Sequence, residues 1–300
     1  MSHLLVLGGG WVGSAVARRG RTDPAVDRVS VVDPIDDPEL VRRDSTSTEA
    51  LRTRIHRDSI TTVVNACGRV RGTDDELTDA NSDFVLWLCD ALQGANVRLV
   101  HVGSASEYGD PGSPTPVDES ATARPAGAYA VTKAAGTDAV LAARERGLPA
   151  TVARVFNIVG HPVPAVSPVH QWLTELSALP ACGGRVEVWW PPTTRDFVMI
   201  EDAAAALVDL ASMPTPPPPL VNVCSGTGIA FGEIVDALAR SLGVHATIES
   251  LDRPGIEVVI GDPTLLHTTL GWVPRMSVEA LAARATGADR GSGGPTGANR

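Results

Sequence analysis

The chain has 300 residues, 43% of them hydrophobic and 20% charged, with a formal net charge of −10. This composition indicates a globular protein with a large core and argues against nucleic acid as a partner, and no apolar run predicts a membrane span. The first residues enter a strand without the segments of a secretory signal, so we expect a cytoplasmic protein. The cysteines lack the spacing of a zinc site or disulfide framework, so we expect free thiols and no metal: Cys67, Cys89, Cys182 and Cys224.

The first predicted elements are a short buried strand over residues 3–7, a glycine-rich turn and a helix. In this context Gly-x-Gly-x-x-Gly predicts a dinucleotide site. Gly8 would permit the tight turn, Gly10 would let a pyrophosphate approach the backbone, and Gly13 would let helix and strand pack closely. Because a helix N-terminus supplies N–H groups to phosphates, we expect cofactor contacts from the whole turn: Gly8, Gly10, Trp11, Val12 and Gly13.

The second predicted strand, residues 29–33, ends in an acid twenty residues after Gly13. A carboxylate at this distance can hydrogen-bond the ribose hydroxyls of NAD and repels the 2′-phosphate of NADP. No arginine directly follows Asp33, so NAD is favoured over NADP; the alternative for Asp33 is a loop acid before Pro34. Asp44 could reach the adenine, and a surface turn accounts for it equally well.

Two further strands are predicted to end at the same edge of a parallel sheet. The strand near residues 61–68 ends in small residues, which would let a cofactor lie across that edge: Asn65, Ala66 and Cys67. The strand at 97–102 leads to Ser104, whose hydroxyl would lie at the mouth of the sheet or, alternatively, would only cap the strand end. His101 is expected to be a core histidine with its hydrogen bonds satisfied.

Residues 82–93 are apolar almost all round, which is typical of a helix covered on two sides. One side is expected to lie on the sheet. The other side predicts either a subunit interface, shared with the Ala-rich helix that carries Tyr129, or deep burial within one subunit.

The segment 127–136 contains Lys133, the only lysine of the chain, four residues after Tyr129, one of only two tyrosines. Residues four apart share one face of a helix. Arginine replaces lysine at most surface positions, but its larger planar guanidinium does not replace a compact ammonium that must approach a phenol. The lone lysine therefore indicates a chemical requirement, with coincidence in an Ala-rich helix as the alternative.

The pattern changes after a strand predicted at 148–155. Short strands then alternate with helices, near residues 186–190 and 220–224 for the strands and 167–178, 201–212 and 231–242 for the helices. We therefore predict an α/β fold with a cofactor-binding domain over residues 1–160 and a smaller domain over 161–286, between which strands can cross back. Residues 287–300 are Gly-rich and polar, and we predict that they are disordered.

In this order the motifs resemble those of the extended short-chain dehydrogenase/reductase family, the NAD-dependent epimerase/dehydratase group that acts on nucleotide sugars. The resemblance runs from about residue 3 to about residue 283, and it implies a Rossmann-type doubly wound parallel sheet with a smaller C-terminal α/β substrate domain. The subunit interface predicted from residues 82–93 would make the protein a homodimer. It rests on Ser104, Tyr108-Gly109, Tyr129 with Lys133, and the segments 154–157, 194–198, 221–226 and 270–274.

Two departures from the family pattern concern the active site. The glycine turn is one residue shorter than is usual in the family, which changes its phosphate contacts. Ala105 and Ser106 stand where the 4,6-dehydratases of the family carry Asp and Glu. The usual acid and base for removing water from the sugar are therefore missing.

The resemblance implies a role for each side chain of the site. Tyr129 would be the acid/base, its pKa lowered from near 10 by Lys133 and by oxidised nicotinamide, and Lys133 would also bind the nicotinamide ribose. Ser104 would orient the substrate oxygen, and Phe156 would contact the cofactor. Substrate contacts are expected from Ser104, Ala105, Ser106, Asn157, Arg195 and Arg253, the arginines binding a diphosphate unless each forms a surface ion pair with its neighbouring aspartate.

These expectations favour an oxidoreductase that acts with NAD on a ring carbon of a nucleotide-linked hexose. A 4-epimerase is slightly favoured, because many net reductases use NADPH; the alternative is an NAD(P)H-dependent 4-ketoreductase. A third version applies the same chemistry to a non-sugar natural-product carbonyl. A non-catalytic dinucleotide-binding regulator is disfavoured, because such proteins typically lose the tyrosine or the lysine.

Overall fold

A computed structural model describes residues 2–40, 42–180, 183–189, 192–251 and 255–288. Its strands are β1 (His3–Leu7), β2 (Arg28–Val32), β3 (Thr62–Asn65), β4 (Arg98–Ser104), β5 (Ala150–Val155), β6 (Asn157–Val159), β7 (Gly184–Trp189), β8 (Thr194–Met199), β9 (Leu220–Val223), β10 (Gly228–Ala230), β11 (Ala246–Leu251) and β12 (Val258–Val259). Its α-helices are α1 (Trp11–Thr22), α2 (Ser45–Asp58), α3 (Asp74–Thr78), α4 (Phe84–Leu92), α5 (Ala128–Glu145), α6 (Pro168–Ser177), α7 (Ile200–Ser212), α8 (Phe231–Leu242), α9 (Thr264–Leu270) and α10 (Val278–Thr286). In these ranges no helix is both long and apolar enough to cross a membrane.

The chain divides into two compact units that are not continuous in sequence. The first contains the described residues up to Gly109, Thr122–Val155 and Glu201–Asn222. The second contains Asp110–Ala121, Phe156–Ile200 and the described residues from Val223 onward. The division therefore differs from a single boundary at residue 160, because α7 and β9 return to the first unit.

A six-stranded sheet in the order β2-β1-β3-β4-β5-β9 forms the centre of the first unit. β1 runs parallel to β2 and β3, and β4 runs parallel to β3 and β5. Every residue of β1 is buried, as expected of a central strand covered on both faces. The strand order reverses between β1 and β3, which places a ligand crevice outside the carboxyl ends of these strands. The predicted doubly wound parallel sheet is confirmed.

β9 joins this sheet through a partner that is distant in sequence. It pairs beside β5 at the edge of the sheet, and Val152 N donates to Pro219 O just before the strand begins. Neither segment carries a local sign of this pairing, since both are short apolar runs. The sequence predicted that strands could cross back between the two domains, but it did not indicate that β9 would be one of them.

The helix predicted at 82–93 begins earlier and in a different form. A π-helical turn over Asp79–Asp83 precedes α4. α4 packs on α5 and buries Phe84, Val85 and Leu88. Its other face is not covered within this unit, because 49% of Leu86 is exposed, as is 49% of Val131 on α5. Of the two alternatives, deep burial within one subunit does not describe this helix.

The second unit is organised around a buried carboxylate on β8. Asp196 Oδ1 accepts hydrogen bonds from Ser225 N at 2.9 Å and Ser225 Oγ at 2.7 Å, and Oδ2 accepts from Gly226 N at 2.9 Å and Gly261 N at 3.3 Å. Burial raises the pKa of Asp196 to about 6, although these donors favour the ionised form. One side chain thus joins β8 to the loops that follow β9 and β12.

The predicted disordered tail, residues 287–300, falls largely on residues 289–300, which lie outside the described residues.

Candidate active site

The glycine turn after β1 is shaped by two close backbone contacts and one open position. A Cβ at Gly8, where φ is +94°, would lie 2.9 Å from Cys67 N, and a Cβ at Gly13 would lie 1.9 Å from Gly8 O. A Cβ at Gly10 would have no heavy atom within 4 Å. Packing therefore requires glycine at the two outer positions, while Gly10 leaves backbone open to a ligand, as a pyrophosphate requires.

The helix and the acid next to this turn also fit a dinucleotide. α1 begins directly after Gly10, which provides no side-chain cap, so the first N–H groups of the helix can bind an anion. Asp33 Oδ2 accepts a hydrogen bond from Gly9 N at 3.2 Å, and Oδ1 accepts one from Ile35 N at 3.2 Å. The carboxylate predicted to bind the ribose therefore lies beside the glycine turn.

Asn65 supports this edge of the sheet from inside. The side chain is fully buried; its Oδ1 accepts from Cys67 N at 3.1 Å, and its Nδ2 donates to His101 Nδ1 at 3.1 Å. The amide thus orients the half-buried Ala66-Cys67 backbone and does not itself face a ligand. His101 corrects an expectation, because its Nε2 has no hydrogen-bond partner among the described residues. Burial and the charge of Lys133 hold the pKa of His101 well below its usual range.

Asp44 begins a helix, as the surface alternative suggested. Its Oδ1 accepts from Ser47 N at 3.0 Å, which caps α2, and its Oδ2 lies 3.1 Å from Arg42 Nε. The helix-capping hydrogen bond from Ser47 N lowers the pKa of Asp44. A contact with adenine stays a prediction for this residue.

Strand β4 and helix α5 bring three hydroxyl groups together. The phenol of Tyr129 lies near enough to the hydroxyl of Ser104 for that hydroxyl to lower the pKa of the phenol. Ser104 Oγ also lies 2.9 Å from Ser106 Oγ and accepts from Ser106 N at 3.2 Å, so it caps the turn after β4 as well as facing Tyr129. Ala105, between the two serines, is buried. The arrangement can hold a substrate oxygen between a phenol and a serine hydroxyl.

Lys133 is buried on the same face of α5. Its side chain is only 4% exposed, and Nζ donates to Val102 O at 2.6 Å. Burial lowers the pKa of Lys133, against which the negative charge of Glu107 raises it. The lysine predicted one turn after Tyr129 is therefore held by the strand that carries Ser104.

The expected lowering of the Tyr129 pKa is not found in this structure. Burial raises the pKa of the phenol, the nearby Ser104 hydroxyl lowers it, and the charge of Glu107 raises it further. The ammonium of Lys133 bonds to Val102 O, so desolvation of the phenol dominates. The contribution predicted from oxidised nicotinamide is a property of the complex with cofactor.

Glu107 is a residue of this site that the sequence motifs did not indicate. The side chain is fully buried, and its Oε1 accepts from Ser104 N at 2.7 Å. Ser104 and Glu107 form a capping box, for which Ser-x-x-Glu is the sequence signal. That signal was present, but it was hidden in a segment interpreted only for its serine and tyrosine.

The residues predicted to bind substrate in the second unit have different surroundings. Asn157 is exposed, and its Nδ2 donates to Asp196 O at 2.8 Å. Phe156 is only 2% exposed, so its side chain packs in the core and does not face a ligand. Arg253 lies outside the described residues.

Arg195 carries a charge that only neutral groups contact. Its guanidinium donates to Thr194 O at 2.8 Å, to Glu257 O at 3.2 Å and to Ile256 O at 2.8 Å. Burial lowers its pKa to about 10, against the opposite effect of the Asp110 charge, and no carboxylate of the described residues lies within ion-pair distance. The alternative of an ion pair with Asp196 does not hold, since that carboxylate binds the backbone of two loops.

Comparisons with known proteins agree with this geometry. The model of the NAD dependent epimerase/dehydratase family matches residues 4–224. A dTDP-6-deoxy-L-talose 4-dehydrogenase (NAD(P)(+)) from Kitasatospora kifunensis is 32% identical over 88% of this chain and 83% of its own length. A UDP-glucose 4-epimerase from Streptomyces lividans is 28% identical over 69% of this chain and 67% of its own. A UDP-glucuronic acid 4-epimerase from Bacillus cereus, solved with UDP-glucuronic acid and NAD, has the same fold, with a TM-score of 0.79 over 96% of this chain and 99% of its own at 18% identity.

The glycine turn yields a prediction that separates packing from ligand binding. Gly13→Ala is expected to lower the free energy of unfolding by about 1–3 kcal/mol, because the added methyl group overlaps Gly8 O. Gly10→Ala is expected to leave stability unchanged and to weaken NAD binding by about tenfold or more, because the methyl group occupies the open position. Urea denaturation and titration calorimetry measure the two effects. Equal losses of stability in both variants would contradict this division of roles.

Proposed function

This chain belongs to the NAD dependent epimerase/dehydratase family, and on that premise we propose that it oxidises or reduces ring carbon 4 of a nucleotide-linked sugar with NAD as cofactor. The proximity of the Ser104 hydroxyl to the Tyr129 phenol, with Lys133 buried one turn further along α5 and bonded to Val102 O, is the observation that carries the proposal. These three groups meet where β4 ends, at the edge of the sheet that also bears the glycine turn.

NAD would be held by groups that already fit it. The glycine turn and the start of α1 would bind the pyrophosphate, Asp33 would bind the adenosine ribose, and Lys133 would bind the nicotinamide ribose. A carboxylate beside the turn disfavours the 2′-phosphate of NADP. Bound NAD supplies a hydride acceptor or donor for the sugar carbon.

The side chains of the site would move the proton on the sugar oxygen. Ser104 would orient that oxygen by a hydrogen bond, and Tyr129 would take or give the proton. A phenol whose pKa is raised stays protonated at neutral pH, which is the form that gives a proton to a carbonyl oxygen. The ammonium of Lys133 would stabilise the phenolate that remains after this transfer.

Arg195 is proposed to bind the diphosphate of the nucleotide sugar. A guanidinium contacts two phosphate oxygens at once, and this one is half-buried, with carbonyl oxygens accepting its hydrogen bonds and the charge of Asp110 acting on it from beyond ion-pair distance. A diphosphate would supply a negative charge in direct contact. Asn157 and Arg253 remain proposed substrate contacts on the strength of the resemblance.

Two versions of the reaction use the same site. The 4-epimerase favoured by the sequence gains support from the epimerase relative at 28% identity. The 4-ketoreductase, which is a 4-dehydrogenase in the reverse direction, is supported by the dehydrogenase relative at 32% identity, which covers more of the chain. Both versions require C4 of a nucleotide-linked sugar.

We also propose a homodimer formed through α4 and α5. Leu86 on α4 and Val131 on the neighbouring helix α5 each expose 49% of their surface, and a second copy would cover both. The cytoplasmic location and the absence of nucleic-acid partners stay predictions from the sequence.

The role of Tyr129 can be tested against the only other tyrosine of the chain. Tyr129→Phe is expected to reduce kcat by about 10²–10⁴-fold, the usual contribution of a general acid or base, with NAD affinity nearly unchanged. Tyr108→Phe is the matched control, because it removes a buried hydroxyl that donates to Asn222 Oδ1, and it is expected to cost about 1 kcal/mol of stability for each hydrogen bond lost. Retained turnover in Tyr129→Phe would refute the assignment. Lys133→Arg is also expected to lose turnover, because the larger planar guanidinium does not replace a compact ammonium beside the phenol.

Cofactor consumption separates the two versions of the reaction. The protein is incubated with dTDP-6-deoxy-L-talose or UDP-glucose, with and without added NAD, and the absorbance of reduced nicotinamide is followed. A 4-ketoreductase run in reverse forms one reduced cofactor per keto sugar. A 4-epimerase forms the C4 epimer without net reduction. Lack of reaction with a panel of nucleotide sugars, in protein shown to bind NAD, would refute the substrate class.

The dimer proposal predicts a change of mass in solution. Leu86→Asp is expected to convert a dimer to a monomer, because it places a charge in the proposed interface. Ile35→Asp alters a residue that is 72% exposed elsewhere in the first unit and is expected to leave the dimer intact. Sedimentation equilibrium measures both, and a wild-type monomer would rule the proposal out.

A further inference from the structure

Glu107 is a buried carboxylate that the proposed reaction does not use. It lies in the turn after β4, is fully buried, and accepts three hydrogen bonds. Oε1 accepts from Ser104 N at 2.7 Å, and Oε2 accepts from Thr137 Oγ1 at 2.8 Å and from Arg154 Nε at 2.8 Å. The carboxylate therefore connects β4, α5 and β5, the three elements around the site.

The pair of Glu107 and Arg154 is the most buried ion pair among the described residues. Their side chains are 0% and 6% exposed, and the guanidinium of Arg154 lies 4.5 Å from the ring centre of Tyr108. Replacing a buried ion pair by apolar residues is often neutral or stabilising. A contribution to stability therefore does not by itself explain this ion pair. Its position next to the site suggests a role in the site.

The carboxylate bonds directly to the backbone of the proposed catalytic serine. The hydrogen bond from Ser104 N and the capping of the turn by Ser104 Oγ fix that residue from both sides. The space is tight, because a Cβ at Gly103 would lie 3.0 Å from Glu107 Oε1. A shift of the carboxylate would therefore move the turn that carries Ser104.

Glu107 is also the acidic side chain that acts on both titrating groups of the site. Lys133 faces Val102 O and His101 from β4, Cys67 from the loop after β3, and Glu107 from the turn after β4. The phenol beside it faces the Ser104 hydroxyl and the charge of the same carboxylate. The imidazole of His101 is neutral, so it cannot balance the charge of the Lys133 ammonium. The negative charge near that ammonium is the carboxylate of Glu107.

We propose that Glu107 is a positioning residue of this active site, which anchors the Ser104 turn through its backbone and supplies the buried negative charge that balances the ammonium of Lys133. Arg154 pairs with the carboxylate from the far side. The charges of Lys133, Glu107 and Arg154 then alternate in sign across α5, the turn after β4, and β5. The meaning of this array for catalysis rests on the proposed function, whereas the array itself does not.

The direction of its effect follows from its sign. A negative charge favours the protonated form of Lys133 and the protonated form of Tyr129, so its removal lowers both pKa values. Glu107→Gln keeps the shape and an oxygen that can accept from Ser104 N, and it removes the charge. Thr137→Val is the matched control, because it removes a hydrogen bond to the same carboxylate and leaves the charge in place.

The composition of the chain allows both pKa values to be measured without turnover. Lys133 is the only lysine, so the protein labelled with ¹³C-lysine gives one side-chain NMR signal, whose pH titration reports that ammonium. Labelled tyrosine gives two signals, and Tyr108→Phe identifies the signal of Tyr129. We expect Glu107→Gln to lower the pKa of each group by about one unit, and Thr137→Val to leave both nearly unchanged.

A second variant protects the test against loss of folding. Glu107→Gln leaves Arg154 unpaired, which can destabilise the protein, so Glu107→Gln combined with Arg154→Met removes both charges. It is expected to lower the pKa of Lys133 in the same direction by a smaller amount. Unchanged pKa values in a folded variant, or equal shifts in Thr137→Val, would overturn the charge-balancing role.

The anchoring role has its own measurement. Glu107→Asp keeps the charge on a side chain one methylene shorter, which cannot reach Ser104 N without moving the turn. We expect faster hydrogen exchange of the Ser104 amide in this variant than in Thr137→Val, with kcat reduced once a substrate is known. Unchanged exchange would overturn the anchoring role. Because neither measurement uses turnover, failure of the proposed reaction on nucleotide sugars would leave these results interpretable.

Discussion

The first unit depends on the burial of one ammonium group. Lys133 is 4% exposed, and an unbalanced charge at such a site is costly. The backbone oxygen of Val102 and the carboxylate of Glu107 offset that cost from the end of β4, and Arg154 neutralises the carboxylate from β5. Each group is on a different element, so the site exists only when α5, β4 and β5 lie side by side. The charge balance around Lys133 thus depends on the same strand order that forms the site.

The second unit treats its two neighbouring charges in opposite ways. Asp196 accepts three hydrogen bonds from loop backbone N–H groups and one from the Ser225 hydroxyl, so its carboxylate stabilises the fold. Arg195 donates to carbonyl oxygens that do not neutralise it. Adjacent residues on a strand point to opposite faces, so Asp196 can bond within the fold while its neighbour Arg195 is the residue proposed to bind an anion.

Those parts of the site that lie close together in sequence could be predicted from it. The glycine turn, the helix after it, and the pairing of Tyr129 with Lys133 depend on spacings of a few residues, and α8 has the predicted bounds. Glu107 was missed because its partners Thr137 and Arg154 are distant in sequence. The raised pKa of Tyr129 was missed because it comes from burial, which spacing does not report. Asn65 was predicted as a ligand contact, but its side-chain amide donates a hydrogen bond to His101 on the next strand.

The sequence by itself determined the class of fold, the glycine turn and the residues proposed for hydride transfer, because helical and strand periods and short motifs act locally. Only the tertiary structure decided that β9 returns to the first sheet, that Leu86 stays uncovered, and that a buried carboxylate lies behind the serine. These features depend on strand pairing and packing between distant segments. Many pairings satisfy the same local pattern of apolar residues, and the choice among them is made by the packing of the whole unit.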